Sequence, residues 1–425
     1  MSCCKGSLEY TCPSHGGWGM VRTGMLIPES HQLFVCPSAC GRHGALGAIQ
    51  QGYKNRLSYL YLEESDIISG YDAAICEAVG ELLERLQKRP KVLIVFVSCL
   101  DDLIGTDCDA VMEELSQRYP DIQFRMGHMN PISTNSDEPP LVSIWKNVYS
   151  LMESSQQEKK LGVNMLGNYV PIHEESEIFE VLANFNMKLY HVGNCTTYEE
   201  LRDMGNNCLN LLVAAPVEKI AKQLKKTQGI EYVKAHVAYD LEKIKANYQL
   251  IFERLKEMGK IADTKESLDG FQEILRKSEE KAVAAIWAAK EKVGNKKLYI
   301  DYSAFAEPFA AAKFFYQEGF NIQRVYAKDI DETDENYQWL LKETQVEIIK
   351  VNKHDIVNKW KKTDDSISIG MEAAYVSGSR YVVPVFQNEG MYGFYGVCML
   401  MKKLEDCVKE DADLQEVIHQ AGLVV

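Results

Sequence analysis

An α/β chain of three Rossmann-like parallel-sheet units is what the sequence predicts, and three observations predict it. The first is Val92 to Val97, VLIVFV, an unbroken apolar run rich in β-branched residues. Such runs form strands buried on both faces of a parallel sheet. The second is the alternation of further strand-like runs with helix-period segments along the chain, which implies strand-helix-strand crossovers. The third is length: 425 residues exceed one ordinary core, so two or three domains of about 100 to 200 residues each are expected.

Taken in order, residues 1 to 50 are rich in Gly, Cys and His, and Leu33 to Val35 is a short strand running into Cys36, Pro37 and Cys40. Asp72 to Arg89 has helical periodicity, with Ala73, Cys76, Val79, Leu82, Leu83 and Leu86 on one face; Cys76 is expected in the core. Pro90 leads into the central strand, and Cys99 sits just past its carboxyl end, where open α/β sheets bind ligands. The turn LDDLIG follows, then a helix over Asp107 to Tyr119 that Thr106 and Asp109 are expected to start. Ile122 to Met126 is a strand ending at Gly127 and His128, and Leu141 to Met152 a helix with the polar end SSQQEKK. That end marks a first domain over 1–158.

A second unit over 159–270 alternates a strand from Leu161, a helix over Glu174 to Phe185, a strand over Lys188 to Val192, a helix over Thr197 to Met204 and a strand over Leu209 to Ala214. Helical patterns over Val217 to Gln228 and Asp240 to Met258 complete it, and KIADTKESLDG is expected to be a polar connector. The third unit, 271–425, opens with a long helix from Phe271 to Val293. Strands KLYIDYS, IQRVYA, VEIIKV, SISIG and YVVPVF follow. No GxGxxG or GxxxxGK[ST] motif occurs, so nucleotide binding has no motif support.

Composition narrows the function. Hydrophobic residues at 46% and charged residues at 25% are globular values, and no apolar run approaches the ~20 residues that span a bilayer. The N-terminus lacks the features of a signal peptide, so a soluble cytoplasmic protein is expected. A net charge of −14 disfavours nucleic acid and anionic membrane as main partners. Eight of the twelve cysteines (Cys3, Cys4, Cys12, Cys36, Cys40, Cys76, Cys99 and Cys108) fall in the first quarter or so of the chain. In a cytosolic protein these suggest metal ligands or reduced thiols more than disulfides. Spacing alone leaves an iron-sulfur cluster, a zinc site and unligated thiols all open.

The spacing of Cys12, Cys40 and Cys99, with GGWGMV, DIISG at Asp66 to Gly70 and VSCLDDLIGTD around Cys99, resembles nitrogenase component 1, the molybdenum-iron protein family. VNMLGNYVPI, TYEELRDMGNNCLNLLVAAP and FQNEGMYGFYG extend the resemblance. It implies a nitrogenase component 1-like fold, with Cys12, Cys40 and Cys99 as ligands of an interfacial 4Fe-4S or P-cluster-like 8Fe iron-sulfur cluster. Cys36 stands where the family often has a Gly, so it is expected to replace or supplement Cys40. Three thiolates per chain imply a homodimer, or a heterodimer with a related subunit. Leu211 to Ala215 lacks the cofactor-anchoring cysteine and Gln387 and Asn388 stand where its histidine is expected, so no iron-molybdenum cofactor ligands are expected.

The implied activity is a nitrogenase-like oxidoreductase. An ATP-dependent iron-sulfur reductase, similar to the nitrogenase iron protein, would supply low-potential electrons for reduction of a small or tetrapyrrole substrate. His15, His43 and His128 are expected as proton donors and Arg42 as an anion-binding group. Asp101, Asp102 and Asp107 form either an acidic docking rim or turn and cap residues. Two rivals stand beside this reading: a non-catalytic scaffold for iron-sulfur or iron-molybdenum cofactor assembly, and a zinc or redox-sensing protein.

Overall fold

The computed structural model describes residues 19–50, 52–129, 140–155, 158–261, 264–328, 330–351, 364–388 and 390–420. Its described strands form three sheets. The first contains β1 (Ser30–Cys36), β2 (Leu57–Tyr61), β3 (Val92–Ser98) and β4 (Gln123–Met129) in the order β2-β1-β3-β4, all parallel. The second contains β5 (Lys160–Leu166), β6 (Lys188–Tyr190), β7 (Asn207–Leu212) and β8 (Glu231–Lys234) in the order β6-β5-β7-β8. The third contains β9 (Lys297–Asp301), β10 (Ile322–Ala327), β11 (Glu347–Lys350), β12 (Asp364–Ile369) and β13 (Ser379–Val383), parallel throughout in the order β11-β10-β9-β12-β13. The α/β class with three parallel-sheet units is therefore the observed architecture. Contacts group the chain into two compact units, one of Trp18–Pro171 with Leu189–Tyr232, the other including Ile172–Lys188 and Val233–Val425.

Strand parity builds the core of the first sheet. Side chains alternate between faces with period 2, so Phe34, Cys36, Ile94 and Phe96 enter one apolar cluster together with Ile144 and Trp145. Leu33, Val35, Leu93, Val95 and Val97 enter the opposite cluster, against Ile75, Val79, Val111 and Leu115. Every residue of β3 is buried, as its apolar run requires. Phe34 and Phe96 stack across the β1/β3 pair, ring centroids 4.8 Å apart.

Several elements depart from the sequence expectation, each for a local reason. The glycine-rich SACGRHGALGAIQ is a helix, Ser38–Gln50. Its glycines cost helix propensity but permit close approach to the sheet: a Cβ at Gly41 would sit 2.6 Å from the Tyr59 ring, whose hydroxyl donates to the Gly41 carbonyl at 2.7 Å. The polar stretch before Phe271 is helical too, because Thr264 caps a helix running Lys265–Val293 by accepting from the Ser267 N–H. LDDLIG contains a short helix, Leu100–Ile104, closed by Gly105 in the left-handed conformation. Asp107, not Thr106, is the cap of the helix Cys108–Arg118; its carboxylate accepts from the Ala110 N–H at 3.0 Å.

In the Trp18–Pro171 and Leu189–Tyr232 unit, His191 is a buried neutral staple. Its Nδ1 accepts from the Gly193 N–H at 3.0 Å, which leaves Nε2–H to donate to the Asn168 carbonyl at 3.2 Å. Burial drives its pKa down from 6.5 to about 4, so the unfolded chain binds more protons between those values. The contribution is full above pH 6.5 and is lost as pH falls toward 4, by about 3 kcal/mol in total. Urea unfolding midpoints measured across this window are expected to fall with acidity, and His191→Gln, which keeps one acceptor and one donor, to flatten that fall. An unchanged acid slope in the variant would remove His191 from the account.

Candidate metal and redox site

In the order β2-β1-β3-β4 the chain leaves β1 toward one side for β2 and returns to the other side of β1 for β3. The connections therefore diverge at the carboxyl ends of β1 and β3, the topological switch point where open α/β sheets bind ligands. Val35 is in register with Val97, so the ends of these neighbouring strands lie about 4.8 Å apart. Cys36 ends β1, and Cys99 follows Ser98 at the end of β3.

Parity and burial then separate the thiols. Cys36 shares the face of Phe34 and is 0% exposed; burial, with Cys40 nearby, pushes its pKa up to about 12. Cys40 is exposed on the first turn of the helix Ser38–Gln50, and Cys99 is half-buried at the amino end of the helix Leu100–Ile104. Cys76 is a core thiol, as expected. Arg42 and His43 belong to the helix Ser38–Gln50, but their side chains lie outside the described residues, as do Cys12 and His15.

His128 lies on β4 level with Val97 of β3. Its Nδ1 is 2.9 Å from Asp101 Oδ2, and that bond, the largest influence, raises its pKa above 6.5 despite burial. Of the three acidic residues at this turn, Asp101 is 5% exposed and points inward, whereas Asp107 is a helix cap, as the alternative reading expected. Cys108 joins this pair, its sulfur with the Asp101 and His128 ligand atoms all within 4.8 Å of one another. Burial first, then Asp101, Asp72, Asp109 and Asp107, raises the Cys108 pKa to about 11. Sequence reasoning kept Cys108 only as a further ligand candidate and missed Asp101 as a partner. The one available signal was an aspartate two residues past a strand-end cysteine.

Apolar side chains surround the same end of the sheet. Tyr61 ends β2 and is exposed; Ile68, on the next helix, is 86% exposed, and Leu103, on the helix after Cys99, is 81% exposed. Large aliphatic groups left in water are common at interaction surfaces. Elsewhere, Gln387 and Asn388 take left-handed backbone angles, φ 44° and 62°, and Asn388 accepts a hydrogen bond from the Tyr239 hydroxyl at 3.0 Å. Among the described residues no helix is long and apolar enough to cross a membrane.

Thiol accessibility gives a direct test. In protein freed of metal and kept without oxygen, a mild alkylating agent at pH 8 is expected to label Cys40 rapidly and Cys36 only after unfolding, because the thiolate is the nucleophile. Peptide mass mapping reads both rates. Equal labelling of the two would contradict the buried placement of Cys36.

A family model described as nitrogenase component 1 type oxidoreductase matches residues 15–406. Among curated proteins, the nitrogenase iron-molybdenum cofactor biosynthesis protein NifE of Clostridium pasteurianum is 24% identical over 248 residues, 56% of this chain and 53% of that protein. The match thus spans about half the length of that relative. Two solved structures, nitrogenase Cp1 at pH 5 and at pH 6.5, superpose with TM-scores of 0.66 and 0.67 at 16% and 14% identity. Each covers 96% of this chain, and the chain covers 90% and 94% of theirs.

Proposed function

The chain belongs to the nitrogenase component 1 type oxidoreductase family, and on that premise we propose that it is the substrate-reducing subunit of a nitrogenase-like reductase. In this reading Cys12, Cys40 and Cys99 hold an iron-sulfur cluster at a seam that a second component 1 chain completes. The observation that carries it is the convergence of accessible thiols and exposed apolar side chains on the carboxyl end of the first sheet. When bound, such a cluster supplies a low-potential one-electron relay. An ATP-dependent iron-sulfur reductase is the electron donor, and a small molecule or tetrapyrrole the acceptor.

The chain's own side chains divide the remaining work. Cys99 leaves a rigid buried strand, so its position is set by the sheet. Cys40 rides on a helix clamped to Tyr59. Cys36 is a structural thiol here: ligation would require taking its sulfur out of the cluster around Phe34 and Phe96 and ionising it against burial. His15, Arg42 and His43 keep the proton-donating and anion-binding roles. His128 is less suited to proton delivery, because the buried Asp101 carboxylate anchors it.

A second reading, a scaffold for cofactor assembly, is favoured by the similarity to the NifE protein. One experiment addresses both. In anaerobic preparations, Cys40→Ala and Cys99→Ala are each expected to lose most of the iron per chain, with Cys36→Ala retaining it. After reduction by an iron protein with ATP, a reductase keeps its iron through repeated turnover, whereas a scaffold surrenders it to an apo-acceptor. Iron retained in Cys99→Ala would overturn the ligand assignment.

A further inference from the structure

Asp101, Cys108 and His128 offer three different donor atoms, a carboxylate oxygen, a thiol sulfur and an imidazole nitrogen, within 4.8 Å of one another. Ligand atoms of a tetrahedral zinc site stand about 3.3 to 3.6 Å apart, given metal-ligand distances of about 2.0 to 2.3 Å. The Asp101–His128 contact is 2.9 Å, so an ion enters with shifts of about an ångström or less. The three residues come from the short helix after β3, the first position of the helix Cys108–Arg118, and β4. Two of these elements are long and packed, which holds the donors in place.

Independent signs of a ligand surround the trio. Asp101 is 5% exposed and its Oδ1 is buried with no hydrogen-bond partner. Tyr71 is 1% exposed, its hydroxyl close enough to feel both Asp101 and Cys108. The buried Thr106 Oγ1 interacts with that hydroxyl. A carboxylate oxygen left orphaned in the interior beside two further metal-ligating groups is unusual. Asp72, Asp102, Asp107 and Asp109 add negative potential there, which a cation relieves.

We propose that Asp101, Cys108 and His128 bind one divalent transition-metal ion of the zinc or ferrous type. The donor set selects this class: mixed sulfur, nitrogen and oxygen ligands suit a borderline-soft ion, not magnesium or calcium. Three protein ligands leave a fourth position for water. The site uses none of the thiols assigned to the cluster and takes His128 out of the set of proton donors.

Cobalt(II) reads the site spectroscopically, because a thiolate ligand gives it a charge-transfer band. In full-length Cys40→Ala/Cys99→Ala protein, dialysed against chelator without oxygen, one equivalent of cobalt is expected to bind with that band. Adding Cys108→Ser is expected to abolish the band. Adding His128→Ala instead is expected to weaken binding by about tenfold or more, and adding Cys76→Ser to change nothing. A band of equal strength without Cys108 overturns the proposal. So does its absence from wild-type protein in excess cobalt, which needs no variant to fold.

Discussion

The direct hydrogen bonding of β1 to β3, with β2 displaced to the outer edge, is the constraint on which the rest of the first unit depends. A chain that crosses back over its own first strand must diverge at the carboxyl ends of the two central strands, which forms the crevice where such sheets bind ligands. Two cysteines are delivered there by different routes: Cys99 directly after β3, and Cys40 one turn into the helix after β1. The third sheet repeats the logic in the order β11-β10-β9-β12-β13. There Asp301, at the end of β9, accepts from the Ala373 N–H at 2.9 Å, and burial raises its pKa to about 6. Gly370 at φ 109° leaves room for that carboxylate, since a Cβ would stand 2.5 Å from it. In the third sheet the switch point is closed by protein; in the first it is open to thiols.

What the sequence made legible follows from how strongly each signal is tied to one structure. The VLIVFV run admits little besides a doubly buried strand, and the position of Cys99 after it follows. The Gly-rich helix at Ser38–Gln50 was not legible, because its glycines answer to the Tyr59 ring, a contact from a strand that itself went unrecognised. Cys36 and Cys40 looked equivalent by spacing; only the period-2 parity of β1 with the stacked Phe34 and Phe96 puts Cys36 inside. Asp101 presented as a surface turn residue because LDDLIG is polar and short. Its burial depends on His128, 27 residues away, which no local pattern encodes.

Charge completes the picture. The chain is strongly acidic, at −14, and some of that charge is concentrated beside the thiols, where Asp72, Asp101, Asp107 and Asp109 raise the Cys108 pKa. Negative potential at this end of the sheet favours cations and opposes extra electrons, so a redox centre here would gain from being covered and from positive charge on its neighbour. The exposed Ile68 and Leu103 supply the apolar part of such a cover. The proposed centre shared between chains would be served by both features.

The measurement that tests this most directly is native mass spectrometry of protein prepared and sprayed without oxygen. A dimer carrying the mass of iron and sulfide, which loses both together when it dissociates to monomers, is the predicted result. A monomer that retains its full iron and sulfide would contradict a shared centre and leave the exposed apolar face for another partner.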